Sequence, residues 1–331
     1  MRIALLGAGR IGVMHARLLA SLPEIELIVA DVDAARAAQV AAEVGGEAAP
    51  TVEAAIASAD ALAIASSTDT HADLVRAGMA RGLPMFCEKP LAKDLAASIA
   101  LAKEVEASGT VLQLGFQRRF DAGYVEARRM ITSGELGTVY LARLAGHDPA
   151  PPAEAYIPAS GGLFRDFSVH DFDIIRWLLD AEVEEVYADG GVRGFPMFAT
   201  YGDVDSAVAT LRMSNGVLVA MTASRHDPRG YDVRAELFGS KDSISVGFDA
   251  KMPLRSVEPG VPAPAEPGWS GFIERFTPAY TAELTVFADV AAGRIPSPCT
   301  AADGVASLRI AEAATRSLAE HRPVRLDEIP A

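Results

Sequence analysis

The sequence predicts an α/β protein of two domains: a doubly wound parallel sheet in residues 1–118 and an α+β domain with a large, mostly antiparallel sheet in residues 119–331. Three observations carry this expectation. Short apolar runs alternate with helical stretches through the first 118 residues, a glycine turn joins the first of these runs to the first helical stretch, and beyond residue 119 the rhythm changes to longer alternating segments. A chain of 331 residues also exceeds the roughly 100–200 residues of an average domain.

In the first half, Arg2–Leu6, Ile25–Asp31, Ala61–Ser66, Pro84–Cys87 and Val111–Gly115 read as buried strands joined by crossover helices. In the second half, Ser206–Met213, Val217–Ser224, Asp232–Phe238 and Ser243–Phe248 read as antiparallel strands. Asn215-Gly216 falls between two of them, where a tight hairpin needs residues that tolerate positive φ. Residues 148–162 and 253–271 are rich in Pro and small residues and read as long loops, of the kind that carry function or merely vary. Residues 301–321 have helical periodicity and are expected to pack back on the body of the protein.

Composition excludes several classes. Half of the residues are hydrophobic, yet no apolar run approaches the roughly 18–20 residues of a membrane-spanning helix. The apolar run after Met1 is too short for a signal-peptide core, so a cytoplasmic protein is expected. Cys87 and Cys299 cannot build a disulfide framework or a cysteine zinc site, and the six histidines show no ligand spacing, so no metal is expected. Thirty basic against 44 acidic residues give a net charge of −14, which disfavours nucleic acid and anionic membranes and mildly favours a neutral small-molecule substrate.

Gly7-Ala8-Gly9-Arg10-Ile11-Gly12 follows a strand and opens a helix, the context that a dinucleotide fingerprint requires. The first glycine permits the turn, the second lets a pyrophosphate approach the backbone, and the third lets helix and strand pack closely. Asp31 ends the second strand 19 residues past Gly12, placed to accept hydrogen bonds from ribose hydroxyls and to repel a 2′-phosphate. NAD is therefore expected over NADP, although Arg36 could soften that preference.

Oxidising an alcohol by hydride loss needs a base near neutrality and a group that stabilises the developing alkoxide. Lys89, in Cys87-Glu88-Lys89-Pro90, closes a strand at the end where ligands sit in doubly wound sheets, or is simply a solvated lysine. Asp166 and His170 are four residues apart and share one face if Phe167–Leu179 is helical, so the carboxylate can orient the imidazole. A helix-capping Asp and a structural His fit the same spacing. Gly161-Gly162 upstream would admit a ligand against the backbone, or form a turn.

Taken in order, Gly7–Gly12, Asp31, residues 66–71 (SSTDTH), Glu88-Lys89-Pro90 and Asp166-x-x-x-His170 resemble the glucose-fructose oxidoreductase/inositol dehydrogenase/MocA family over nearly the whole chain. Residues 115–121 (GFQRRFD), 148–152 (DPAPP), Tyr156-Ile157 and 161–166 (GGLFRD) are similar to its inositol 2-dehydrogenases in particular. The resemblance implies a Rossmann domain followed by a domain whose sheet face joins subunits, hence a homo-oligomer, a dimer or a homotetramer. It implies a Lys89, Asp166 and His170 triad and a cis Lys89-Pro90 bond. It further implies NAD contacts at Gly7, Gly9, Arg10, Ile11, Gly12, Asp31, Ser67, His71, Glu88 and Lys89. Polyol contacts are implied at Lys89, Arg118, Asp148, Tyr156, Asp166, His170 and Tyr231. The implied reaction is NAD-dependent oxidation of a cyclic polyol, myo-inositol to its 2-keto derivative, in polyol catabolism. An aldose dehydrogenase is the alternative. A regulatory NAD-binding protein without turnover would be expected to lack Lys89 or His170, and both are present.

Overall fold

A computed structural model describes residues 1–331, which divide into two units: residues 1–120 with 278–306, and residues 121–277 with 307–331. The first unit is built on strands β1 (Arg2–Leu6), β2 (Glu26–Ala30), β3 (Glu47–Ala48), β4 (Ala61–Ile64), β5 (Met85–Glu88) and β6 (Leu112–Gly115). All pair in parallel in the order β3-β2-β1-β4-β5-β6, so strand order reverses between β1 and β4. The helices between them are α1 (Arg10–Ser21), α2 (Ala34–Val44), α3 (Val52–Ser58), α4 (Thr68–Met79) and α5 (Leu95–Ser108). Side chains cap three of them: Asp33 accepts from Ala35 and Arg36, Thr51 from Ala54, and Asp94 from Ala97. The strands are buried apolar runs, and Ile3, Leu5, Val29, Ala61, Ala63 and Phe86 form the centre of the core.

The contiguous split at residue 118 needs correcting, because the chain returns to this unit. Leu284 and Phe287 pack into the same core, and Leu114 N–H donates to the Cys299 carbonyl at 2.9 Å. Buried Arg119 reaches the Pro298 carbonyl at 2.9 Å and Asp303 at 3.0 Å. The return is carried by pairings more than a hundred residues apart, which a local rhythm cannot signal.

The second unit opens with α6 (Ala122–Thr132) and β7 (Val139–His147), passes the short α7 (Ile157–Ser160), and continues into a π-helical turn, Phe164–Ser168, that runs on as α8 (Val169–Leu179). Strand β8 (Val183–Gly191), the short α9 (Met197–Thr200), β9 (Ser206–Met213), β10 (Leu218–Ser224), β11 (Asp232–Gly239) and β12 (Ser243–Val246) follow. The long helices α10 (Phe272–Ala291) and α11 (Ala301–Glu320) and a short β13 (Val324–Arg325) end the chain. The division between units falls within these two helices. Seven strands form one sheet in the order β12-β11-β7-β10-β9-β8-β13, antiparallel throughout except for the β7/β10 pair. The strict alternation of β9 and β10 puts Ala207, Ala209, Leu211, Val219, Met221 and Ala223 on the covered face. A Cβ on Gly146 of β7 would lie 2.7 Å from Phe167, so the π turn packs directly on this face. At the β9–β10 hairpin only Gly216 has positive φ (86°), and Met213 N–H donates to the Val217 carbonyl at 3.0 Å. The expected hairpin is thus present, with a loop of three residues that ends in a left-handed glycine.

Candidate active site

In the first unit, three turns stand at the C-terminal ends of the adjacent strands β1, β4 and β5, beside the point of strand reversal. The first is the glycine turn. Gly7 has φ +108° and a Cβ there would lie 2.6 Å from the Ser66 backbone, while a Cβ on Gly12 would lie 2.0 Å from the Gly7 carbonyl oxygen. The fold itself demands both glycines. At Gly9, the residue that caps α1, a Cβ would meet nothing within 4 Å. No protein contact requires that glycine, so its bare surface is left for a ligand. The first turn of α1 has no side-chain cap and no acidic residue, and Gly9 and Arg10 are exposed while Ile11 is half-buried. Its outward N–H groups and partial positive charge suit a pyrophosphate.

Asp31 stands beside this turn with its two oxygens shared between backbone donors, Ala8 N–H at 2.7 Å and Asp33 N–H at 2.8 Å. Each carboxylate oxygen has a further lone pair, so the side chain can still accept from ribose hydroxyls. Arg36 Nη1 lies 3.9 Å away. At the second turn Ser67 is exposed at the N-terminus of α4. His71 differs from expectation: it is 1% exposed, and its ring nitrogens face the Pro90 carbonyl at 2.8 Å and the Ser66 carbonyl at 3.2 Å. It ties the second turn to the third, and has no polar edge to offer a cofactor. The third turn carries the cis Lys89-Pro90 bond. Here Glu88 Oε1 meets the Nε2 of fully buried His15 at 2.6 Å, and Lys89 is half-buried. Beneath it, burial pushes the Cys87 thiol far above its usual range, which rules it out as a nucleophile. Arg118 is 2% exposed on the 3₁₀ turn Gln117–Phe120.

In the second unit the β7/β10 pair decides what meets what. Because these strands run parallel with Ser224 opposite His147, their next residues, Arg225 and Asp148, emerge side by side at one edge of the sheet. Strand β11 runs the other way with Asp232 opposite His147, which brings Tyr231 to the same edge. Arg225, only 3% exposed, places Nη1 at 2.9 Å from Asp166 Oδ2 and 3.4 Å from Asp148 Oδ2. Tyr156 donates its hydroxyl to the other oxygen of Asp166 at 2.9 Å. Burial works against the charge on Arg225, but Asp166, Asp148 and Asp203 outweigh it and hold its pKa above the ordinary value.

The structure therefore brings Asp148, Tyr156 and Asp166 together, around an arginine that the sequence reading did not single out. Its one signal was a charged residue directly after a predicted strand. The helix expected over Phe167–Leu179 is observed as α8 from Val169, with Phe167 and Ser168 closing the π turn that holds Asp166, and half-buried His170 is the second residue of α8. Gly161 (φ +81°) and Gly162 (φ +93°) form the turn that launches this segment, which favours the turn reading of that pair. Tyr231 is buried at 4% exposure, its ring edge-on to Phe276 at 6.3 Å.

A six-stranded parallel sheet of this order, with a glycine turn fitted to a pyrophosphate and an acidic residue after the second strand, defines an NAD-dependent dehydrogenase. Residues 1–116 match the oxidoreductase family with an NAD-binding Rossmann fold, and residues 124–245 match the GFO/IDH/MocA C-terminal domain. The chain belongs to the GFO/IDH/MocA oxidoreductase family. It is 38% identical to a myo-inositol dehydrogenase of Streptomyces leeuwenhoekii over 96% of this chain and 97% of that one. It is 37% identical to an NAD-dependent scyllo-inositol 2-dehydrogenase of Bacillus subtilis over 99% and 96%. The crystal structure of a myo-inositol dehydrogenase from Corynebacterium glutamicum superposes with a TM-score of 0.91 at 35% identity, covering 100% and 99% of the two chains. No helix is long and apolar enough to cross a membrane.

Proposed function

We propose that the protein oxidises one secondary ring hydroxyl of a neutral cyclic polyol, with myo-inositol converted to its 2-keto derivative. The observation that carries this reading is the group around Arg225. Asp148, Asp166 and Tyr156 offer carboxylate and phenol oxygens suited to vicinal hydroxyls, while the one buried cation among them is already answered by carboxylates. An anionic substrate gains little there. Relatives named for myo- and scyllo-inositol support the same reading.

NAD, when bound, supplies the hydride acceptor, and the glycine turn, Asp31 and Ser67 are the residues that would hold it. In this reading His170 takes the hydroxyl proton as hydride leaves the same carbon. Asp166 orients the imidazole and steadies its positive charge, and Lys89 stabilises the developing alkoxide. Asp148, Tyr156, Tyr231 and Arg118 bind the remaining hydroxyls. We also assign a role in polyol catabolism in the cytoplasm, and a homo-oligomer, dimer or tetramer, formed through the open face of the seven-stranded sheet. That face presents Tyr187, Val208 and Leu218, each more than a third exposed.

The test is NADH formation by purified protein with NAD and a panel of myo-inositol, scyllo-inositol, D-chiro-inositol, glucose and xylose. Turnover should be greatest on myo-inositol. Activity confined to an aldose would move the substrate, and silence on every member would refute the proposal.

A further inference from the structure

We propose that Arg225 is a positioning residue for the oxidation, aligning Asp166 and through it the base His170. The inference rests on the roles given to Asp166 and His170 above.

Arg225 follows β10 directly and is anchored through its main chain, its N–H donating to the Asp205 carbonyl at 2.8 Å. Its guanidinium lies over the Phe167 ring at 5.8 Å, inside the unit rather than at its surface. From there Nη1 holds Asp166 Oδ2 at 2.9 Å while Tyr156 holds Oδ1 at 2.9 Å. One donor on each oxygen determines the plane of the carboxylate, which a lone contact would leave free to rotate. This matters because Asp166 sits in a π turn, whose wider spacing gives no regular helical register with His170.

The same nitrogen stands 3.4 Å from Asp148. Arg225 therefore also separates two carboxylates that would otherwise repel in a partly buried place. With the cation removed, Asp166 loses the contact that holds one of its oxygens and is pushed away from Asp148, out of the plane in which it can orient the imidazole. The rigid planar fork of arginine suits this arrangement better than the flexible point charge of lysine.

The test is a double-mutant cycle in which Arg225→Gln and Asp166→Asn are made singly and together, with kcat, KM, melting temperature and NADH affinity by fluorescence measured for each. Arg225→Gln should lower kcat by about 10–100-fold, the share of one charge-assisted hydrogen bond, with NADH affinity unchanged. In the Asp166→Asn background the same change should cost less than about threefold, because its target is already gone. Equal losses in both backgrounds, or wild-type kcat in Arg225→Gln, would overturn the proposal. Should Arg225→Gln not fold, Arg225→Lys takes its place in the cycle. It is expected to lose several-fold in kcat in the wild-type background alone, and an equal loss in both, or no loss, again overturns it. Wild-type kcat in Asp166→Asn itself would instead defeat the reading on which the inference rests.

Discussion

Gly9 and Gly12 are both glycines of one turn, yet the structure assigns them different jobs, and substituting alanine at each separates those jobs. Gly9 has φ −73° and an added Cβ would meet nothing within 4 Å, so Gly9→Ala costs only the poorer cap, under about 1 kcal/mol. For a protein of this size that is a melting-temperature loss of at most about 4 °C. The pyrophosphate, however, must come against that bare backbone. A methyl group standing there forfeits one or two charge-assisted hydrogen bonds of roughly 1.5–3 kcal/mol each, so NADH affinity should fall by about 10-fold or more. Gly12→Ala is the opposite case. Its Cβ would lie 2.0 Å from the Gly7 oxygen against an ordinary contact of roughly 3.5 Å, and Gly7 is itself pressed against Ser66, so neither side can yield. Overpacking of this kind costs about 1–3 kcal/mol, and the turn that binds the cofactor is distorted with it. Thermal melting and NADH fluorescence titration of the two variants decide the matter. Wild-type NADH affinity in Gly9→Ala, or a larger loss of melting temperature there than in Gly12→Ala, would refute the reasoning.

Other predictions address single residues. His170→Ala should cut kcat by about 10²–10⁴ while leaving NADH affinity within a factor of two, and an unaltered rate would end its assignment as base. Asp31→Ser should lower kcat/KM for NAD by roughly 10–100-fold and narrow its advantage over NADP, because Arg36, 3.9 Å away, would then face a 2′-phosphate; an unchanged NAD/NADP ratio contradicts this. Buried Asp205 accepts three backbone N–H groups at 2.8 Å, from Arg193, Gly194 and Phe195. Burial works against its charge, yet those donors and Ser206 prevail and hold its pKa below the ordinary carboxylate value. A lowered folded-state pKa means stability that is complete above the unfolded value of about 3.9 and fades as pH falls through the folded one. Asp205→Asn should therefore lower the urea midpoint clearly at pH 7, and the gap to the wild type should shrink below about pH 4; a gap independent of pH would contradict the assignment.

The parallel sheet was legible because its information is local. Each of the strands β1, β2, β4, β5 and β6 is an apolar run bounded by turn residues, and the structure places them within a residue or two of the reading. The two-residue β3, Glu47–Ala48, has no such run, its residues being exposed, and escaped notice. Strands β7 and β8 were also missed: in β7 buried Ala142, Leu144 and Gly146 alternate with Leu141, Arg143 and Ala145, so apolar residues stand on both faces and hide the period, and in β8 a register shift between Val183 and Glu185 breaks it. Residues 278–306 belong to the first unit through contacts with Leu114, Arg119 and Phe86, which no window of sequence contains. Of the expected site residues, Asp148, Tyr156 and Asp166 do converge, but their organiser Arg225 is visible only once strand register is known. His71 shows the converse. Its place in a family motif suggested a cofactor contact, while the structure gives both ring nitrogens to backbone carbonyls.

The proposed reaction removes hydride from one ring carbon of myo-inositol, and deuterium at C2 tests this most directly. Incubation of the labelled polyol with NAD and the enzyme should give NADH that carries the deuterium and a 2-keto product that has lost it. Unlabelled NADH with deuterium retained in the ketone would place the oxidation at another carbon, and no NADH at all would contradict the account.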